Sequence, residues 1–138
     1  MSPAEDHMLS AERQNQTVLV VEDEVLLRLT LAEDLRARGF NVVEAATGDE
    51  ARKLALAGVQ FDLVISDITM PGELDGSALA QWLADNDVPA IVMLTSGLPS
   101  ALDHARSTLP NVKAFISKPY DHDELLVQVE AMLKRDVD

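Results

Sequence analysis

Five short runs rich in β-branched residues alternate along this chain with longer stretches whose apolar residues recur at helical spacing. That alternation constrains the fold more than any other feature. Strand-then-helix repetition is the pattern of βαβ units, whose connections set parallel strands side by side in one sheet with helices against its faces. The predicted strands are Thr17–Val21, Asn41–Ala45, Asp62–Ser66, Ala90–Leu94 and Val112–Ile116. The third is nearly continuous in apolar residues, as strands buried on both faces are, and is expected at the centre of the sheet.

The intervening stretches carry their own stop and start signals. A first helix from about Glu24 to Arg38 places Leu27, Leu31 and Leu35 on one face and ends at Gly39. Thr47 and Glu50 form a capping box for a second helix running to about Ala57. The segment Ile68 to Gly76 holds a proline and two glycines and reads as a loop before a third helix, Ser77–Asp85. Ser100–Ser107 is a weaker fourth helix, and Asp121 caps a last one with Leu125, Val129 and Met132 facing inward.

Charge falls where the strands stop. Glu22-Asp23 follow the first run, Asp67 the third, Thr95 the fourth and Lys118-Pro119 the fifth. In a parallel sheet these carboxyl ends open on one edge, where open α/β sheets bind ligands. Taken singly, Glu22-Asp23-Glu24 is a solvated helix N-terminus, Thr95 a turn residue and Lys118 a surface lysine. Taken together they are three carboxylates, a hydroxyl and an ammonium around one pocket. Two carboxylates about 4 Å apart repel by roughly 4 kcal/mol at an effective dielectric of about 20. A hard divalent cation removes that repulsion, and oxygen ligands without His or Cys select Mg²⁺ or Mn²⁺ over zinc. Cation, ammonium and hydroxyl are the equipment that holds the oxygens of a transferring phosphoryl group.

Composition narrows the partners. The chain has 138 residues, enough for one core, and 11 Lys plus Arg against 24 Asp plus Glu give a formal charge of −13. Such a balance repels phosphate backbones and anionic lipid, so neither nucleic acid nor a membrane surface is an expected partner. There is no cysteine, which excludes disulfides and thiolate chemistry. Residues 1–16 lack an apolar h-region and read as a disordered leader ahead of one domain over 17–135, in a soluble cytoplasmic protein. No Gly-rich dinucleotide fingerprint, Walker lysine motif or nucleophile elbow supports a nucleotide-binding domain or hydrolase.

The motifs Val18-Leu-Val-Val-Glu-Asp-Glu24, Asp67-Ile-Thr-Met-Pro-Gly72 with Asp75-Gly76, Leu94-Thr-Ser-Gly97 and Phe115-Ile-Ser-Lys-Pro119 together resemble the receiver domain of bacterial two-component response regulators. The resemblance covers about Thr17 to Leu133. It implies a flavodoxin-like, doubly wound five-stranded parallel sheet with strand order 2-1-3-4-5. It makes Asp67 the phospho-acceptor, taking a phosphoryl group from a phosphohistidine of a sensor histidine kinase or histidine phosphotransfer protein. Mg²⁺ would be held directly by Asp23, Asp67 and the backbone carbonyl of Thr69, and through water by Glu22. Lys118 would bind a phosphoryl oxygen, with a cis bond to Pro119. Thr95 and Phe115 would be the switch pair, acting on the face built by the fourth and fifth predicted helices and the fifth strand, through which a homodimer is an option.

The implied protein is a stand-alone signalling phospho-acceptor rather than an enzyme, passing its signal by contact with a downstream protein target. The alternative is a receiver-like interaction module that works without phosphorylation. Two departures from the family pattern stand out. The loop after Pro71 carries one extra residue, and Pro89 stands one residue further from Thr95, which implies a bulge or shifted register in the fourth strand. The histidines His7, His104 and His122 are expected on solvated surface.

Overall fold

A computed structural model describes residues 16–98 and 109–134. The elements follow as β1 (Thr17–Val21), α1 (Val25–Ala37), β2 (Asn41–Ala45), α2 (Gly48–Leu56), β3 (Leu63–Asp67), α3 (Gly76–Asp85), β4 (Ile91–Ser96), β5 (Val112–Ser117) and α4 (His122–Leu133). The five strands form one sheet in the order β2-β1-β3-β4-β5, every pairing parallel, which is the expected topology with β3 at its centre. The predicted helix Ser100–Ser107, with His104, and the leader up to residue 15 lie outside the described residues. Gln16, assigned to that leader, is buried and donates from Nε2 to Leu133 O at 2.7 Å, fastening the end of α4 to the start of β1.

Successive strand residues face opposite sides of the sheet, and the core divides accordingly. Leu19, Val21, Val64, Val92 and Leu94 join Leu79 and Leu83 of α3 on one side. Val18, Val20, Leu63, Ile65 and Met93 join Leu31 and Leu35 of α1 and Leu125 and Val129 of α4 on the other. Each of these side chains leaves water almost completely, contributing about 1.5–3 kcal/mol before entropy is counted. Leu31 and Leu35 are buried as the periodicity predicts, while Leu27 is half-buried near the sheet edge.

The capping signals behave as their chemistry requires. Thr47 accepts from Glu50 N at 3.1 Å, and Glu50 Oε2 reaches back to Ala46 N at 2.8 Å, one residue beyond the usual box. Asp121 Oδ1 accepts from Asp123 N at 2.8 Å. Asp75 caps α3 by accepting from Ala78 N at 2.8 Å, so that helix starts one residue earlier than predicted.

The expected irregularity in strand four falls on one of its two pairings. Pairing between β3 and β4 is unbroken from Leu63↔Ile91 to Asp67↔Thr95. The shift falls between β4 and β5, where Val92↔Val112 is followed by Met93↔Ala114 and Lys113 is the extra residue. An inner strand is hydrogen-bonded on both sides, whereas an edge strand gives up fewer bonds to absorb an insertion. The strand boundaries differ for a related reason: Asp67, Thr95 and Ser96 are ladder members, although their polarity reads as loop.

Candidate phosphoryl-acceptor site

Strand order brings the charged ends together. β1 and β4 flank β3, so Glu22 and Asp23 lie on one side of Asp67 and Thr95 on the other. Carboxylate oxygens of Glu22, Asp23 and Asp67 all lie within 4.8 Å of one another. Glu22 is 5 % exposed, Asp67 is half-buried and Asp23 is open to solvent. Three hard oxygen donors at this spacing, with no His or Cys among them, are a donor set that fits Mg²⁺ or Mn²⁺.

Lys118 reaches into the cluster from the end of β5. Its backbone N–H donates to Ser96 O at 2.8 Å, continuing the ladder one step past the strand, and its bond to Pro119 is cis. The ammonium donates to Glu22 Oε1 at 2.6 Å and to Asp67 Oδ2 at 2.8 Å. Burial raises the Glu22 carboxyl above its ordinary value, and the Lys118 contact reverses that only in part. Burial pulls the Lys118 ammonium down, but Asp67 and Glu22 outweigh it and hold the lysine above its usual range.

The backbone around the acids is tied at several points. Glu22 Oε2 accepts from Glu24 N at 3.3 Å, and the Glu22 carbonyl accepts from Arg28 Nη1 at 2.8 Å. Thr69 N donates to Asp67 Oδ1 at 3.2 Å. Ile68 N donates to Thr95 O at 2.9 Å, locking the exit of β3 to β4. Thr95 is 3 % exposed. Phe115 is half-buried opposite Leu94 in the ladder, packed on the side of the sheet that carries α3.

Two residues near the site escaped the sequence reading. Tyr120 and His122 stack with ring centroids 5.6 Å apart, and His122 Nδ1 lies 2.7 Å from Asp34 Oδ2. His122 is thus a partly buried link between α1 and α4, not a solvated surface group. Both rings line a cleft of about 360 Å³ with Glu24, Leu27, Lys118 and Pro119. The signal was available in the two aromatic rings directly after Lys118-Pro119, but which helix they face is a long-range fact.

The fold and the cluster are those of a receiver module of signalling proteins. The family model for the response regulator receiver domain matches residues 18–130, and the chain belongs to that family. It is 37 % identical over 120 residues to the transcriptional regulatory protein PdtaR of Mycobacterium tuberculosis, covering 86 % of this chain and 57 % of PdtaR. It is 33 % identical over 122 residues to the aerobic respiration control protein ArcA of Escherichia coli, covering 88 % of this chain and 50 % of ArcA. The chain thus spans about half the length of the curated relatives it matches. Among solved structures, the response regulator TrrA of Thermotoga maritima, in complex with Mg²⁺ and BeF, superposes with a TM-score of 0.72 at 32 % identity over 85 % of this chain and 98 % of that one. The receiver domain of the hybrid histidine kinase CckA gives 0.71 at 37 % identity over 86 % and 99 %. Among the described residues, no helix is long and apolar enough to cross a membrane.

Proposed function

We propose that Asp67 accepts a phosphoryl group from the phosphohistidine of a histidine kinase or phosphotransfer protein, and that the modified chain changes its protein contacts. The observation that carries this reading is the Asp67 carboxylate at the end of the central strand, 2.8 Å from a lysine ammonium and within 4.8 Å of two further carboxylates. Asp67 Oδ attacks phosphorus, the new O–P bond forms as the P–N bond breaks, and the imidazole leaves and takes up a proton. Glu22, Asp23 and Asp67, with the Thr69 carbonyl, would hold Mg²⁺, which when bound supplies charge neutralisation for the incoming oxygens. Lys118 then exchanges a carboxylate partner for a phosphoryl oxygen. That TrrA, which superposes on this chain, is solved in complex with Mg²⁺ and BeF supports this reading.

Thr95 and Phe115 are the proposed transmitters. Thr95 is the register partner of Asp67, so its hydroxyl is the nearest of the two to a phosphoryl group there, and Phe115 lies one strand further out, opposite Leu94. A shift of Thr95 towards the phosphoryl group is coupled to a change in the Phe115 ring, which packs on the α3 side of the sheet, and biases the outer face of β5 between two states.

The test is intact-mass measurement of wild type and Asp67→Asn after incubation with acetyl phosphate and Mg²⁺. Wild type should gain one phosphoryl mass and Asp67→Asn none. An unmodified wild type, under conditions that label a control receiver, overturns the proposal.

A further inference from the structure

The loop after the acceptor is held from outside by the first turn of α2. It leaves β3 at Ile68 and closes at Gly76, whose N–H donates to Ile68 O at 2.9 Å. A Cβ on Gly76 would collide with Asp67 O and lie 2.8 Å from Ile68 Cα, so the closure is pressed directly against the acceptor's backbone. Thr69, within this loop, donates its N–H to Asp67 Oδ1 at 3.2 Å. The tip of the loop is fixed separately. Asp49 Oδ2 accepts from Glu73 N at 3.1 Å, and Arg52 Nη2 stands 3.5 Å from Asp49 Oδ1 and 3.7 Å from Glu73 Oε2.

Glycines make the approach possible. Gly72 has φ 101°, and a Cβ there would strike Asp49 Oδ2, so the carboxylate rests against the Gly72 backbone. A Cβ on Gly48 would likewise collide with Leu74 O. Two separate segments, 48–52 and 72–74, therefore meet closely at Gly48, against the Leu74 backbone, and at Gly72, against the Asp49 carboxylate. Asp49 is 28 % exposed and Arg52 31 %, so their ion pair is too wet to contribute much stability. What their contact with Glu73 does fix is where the far side of the loop lies, four residues along the chain from Thr69, which touches Asp67.

We infer that Asp49 and Arg52 are positioning residues for the acceptor site: by pinning Gly72 and Glu73 they hold Thr69 against Asp67 and so preorganise the pocket for a divalent cation. This rests on the reading of Asp67 and the Thr69 carbonyl as cation ligands. Outer supports of this kind set ligand orientation before the ion arrives, and their removal weakens ions held by otherwise intact ligands.

The experiment is calorimetric titration of Mg²⁺ into the full chain, wild type against Asp49→Ala and Asp49→Asn, with amide hydrogen exchange followed at Thr69 and Glu73. Asp49→Ala should weaken Mg²⁺ about tenfold, the low end for outer-sphere supports, and speed exchange at both amides. Asp49→Asn keeps an oxygen for Glu73 N and should stay near wild type. If Asp49→Ala does not fold, Arg52→Gln replaces it, with a smaller loss in the same direction. Wild-type Mg²⁺ affinity and wild-type exchange at Thr69 in the folded variants overturn the inference alone. Failure of wild type to bind Mg²⁺ overturns the cation reading beneath it.

Discussion

The Lys118 ammonium lies 2.8 Å from Oδ2 of Asp67, joining the end of the edge strand β5 to the end of the central strand β3 across the intervening β4. The same nitrogen is 2.6 Å from Glu22 Oε1, so one cation answers two acids that would otherwise repel. Lys118→Ala should therefore act in opposite directions on two properties. Without divalent cation, stability should fall by about 1–3 kcal/mol, because a buried glutamate loses its charged partner. Mg²⁺ should bind more tightly, because the ammonium no longer competes for the same oxygens, while phosphoryl incorporation slows. Urea denaturation in chelator, paired with Mg²⁺ titration, reads both; an unchanged midpoint and unchanged affinity would sink this account.

Gly76 and Gly97 form a contrast. A methyl on Gly76 meets the backbone of Asp67 and Ile68, whereas one on Gly97 has nothing within 4 Å. Gly76→Ala should cost about 1–3 kcal/mol by overpacking and disturb the Asp67 amide resonance. Gly97→Ala should stay within about 0.5 kcal/mol of wild type. Equal effects in chemical denaturation would refute the close approach.

Tyr120 is the single tyrosine of the chain, so phenolate absorbance reports on it alone. Burial pushes its phenol from 10.0 up to about 12. The folded state thus holds the proton more tightly than the unfolded chain, and stability attributable to Tyr120 is whole below pH 10 and lost as pH rises from 10.0 towards about 12. The Lys118 pair has the same sign, its folded value also being raised. Tyr120→Phe should flatten the alkaline decline, and wild type should titrate near 12 while its circular dichroism is native. A midpoint near 10.0 in folded protein would count against the burial.

Gln16 ties the start of β1 to the end of α4. Its Nε2 contact with Leu133 O spans 117 residues and is buried. Gln16→Ala should cost about 1–3 kcal/mol by leaving a buried carbonyl unpaired, with the last turn of α4 exchanging its amides faster. Unaltered exchange in that turn would show that the bond has no role.

Much of this molecule was legible because its signals are local. Alternating periods placed all five described strands and four helices, and the caps at Thr47 and Asp121 are contacts between near neighbours in the chain. The acids and Lys118 were placed at strand ends, but their convergence depends on β3 lying between β1 and β4, which the family resemblance supplied and periodicity could not. The features missed are long-range or steric. Nothing local reveals that Asp49 meets Glu73, that Gly76 abuts Asp67, or that His122 faces Asp34. The irregularity of strand four is legible in its residue spacing, but not that its pairing with β5 absorbs it at Lys113, because spacing records an insertion without saying which neighbour gives way.

β3, the central strand, feeds both cores and ends at Asp67: Leu63 and Ile65 point to the α1–α4 side, Val64 to the α2–α3 side. Any displacement at Asp67 is therefore felt in both packed layers at once. Under the proposed function, an output surface on either flank can read Asp67, so the direction of signalling can be rewritten by changing one layer of helices while the chemistry at the strand end stays as it is.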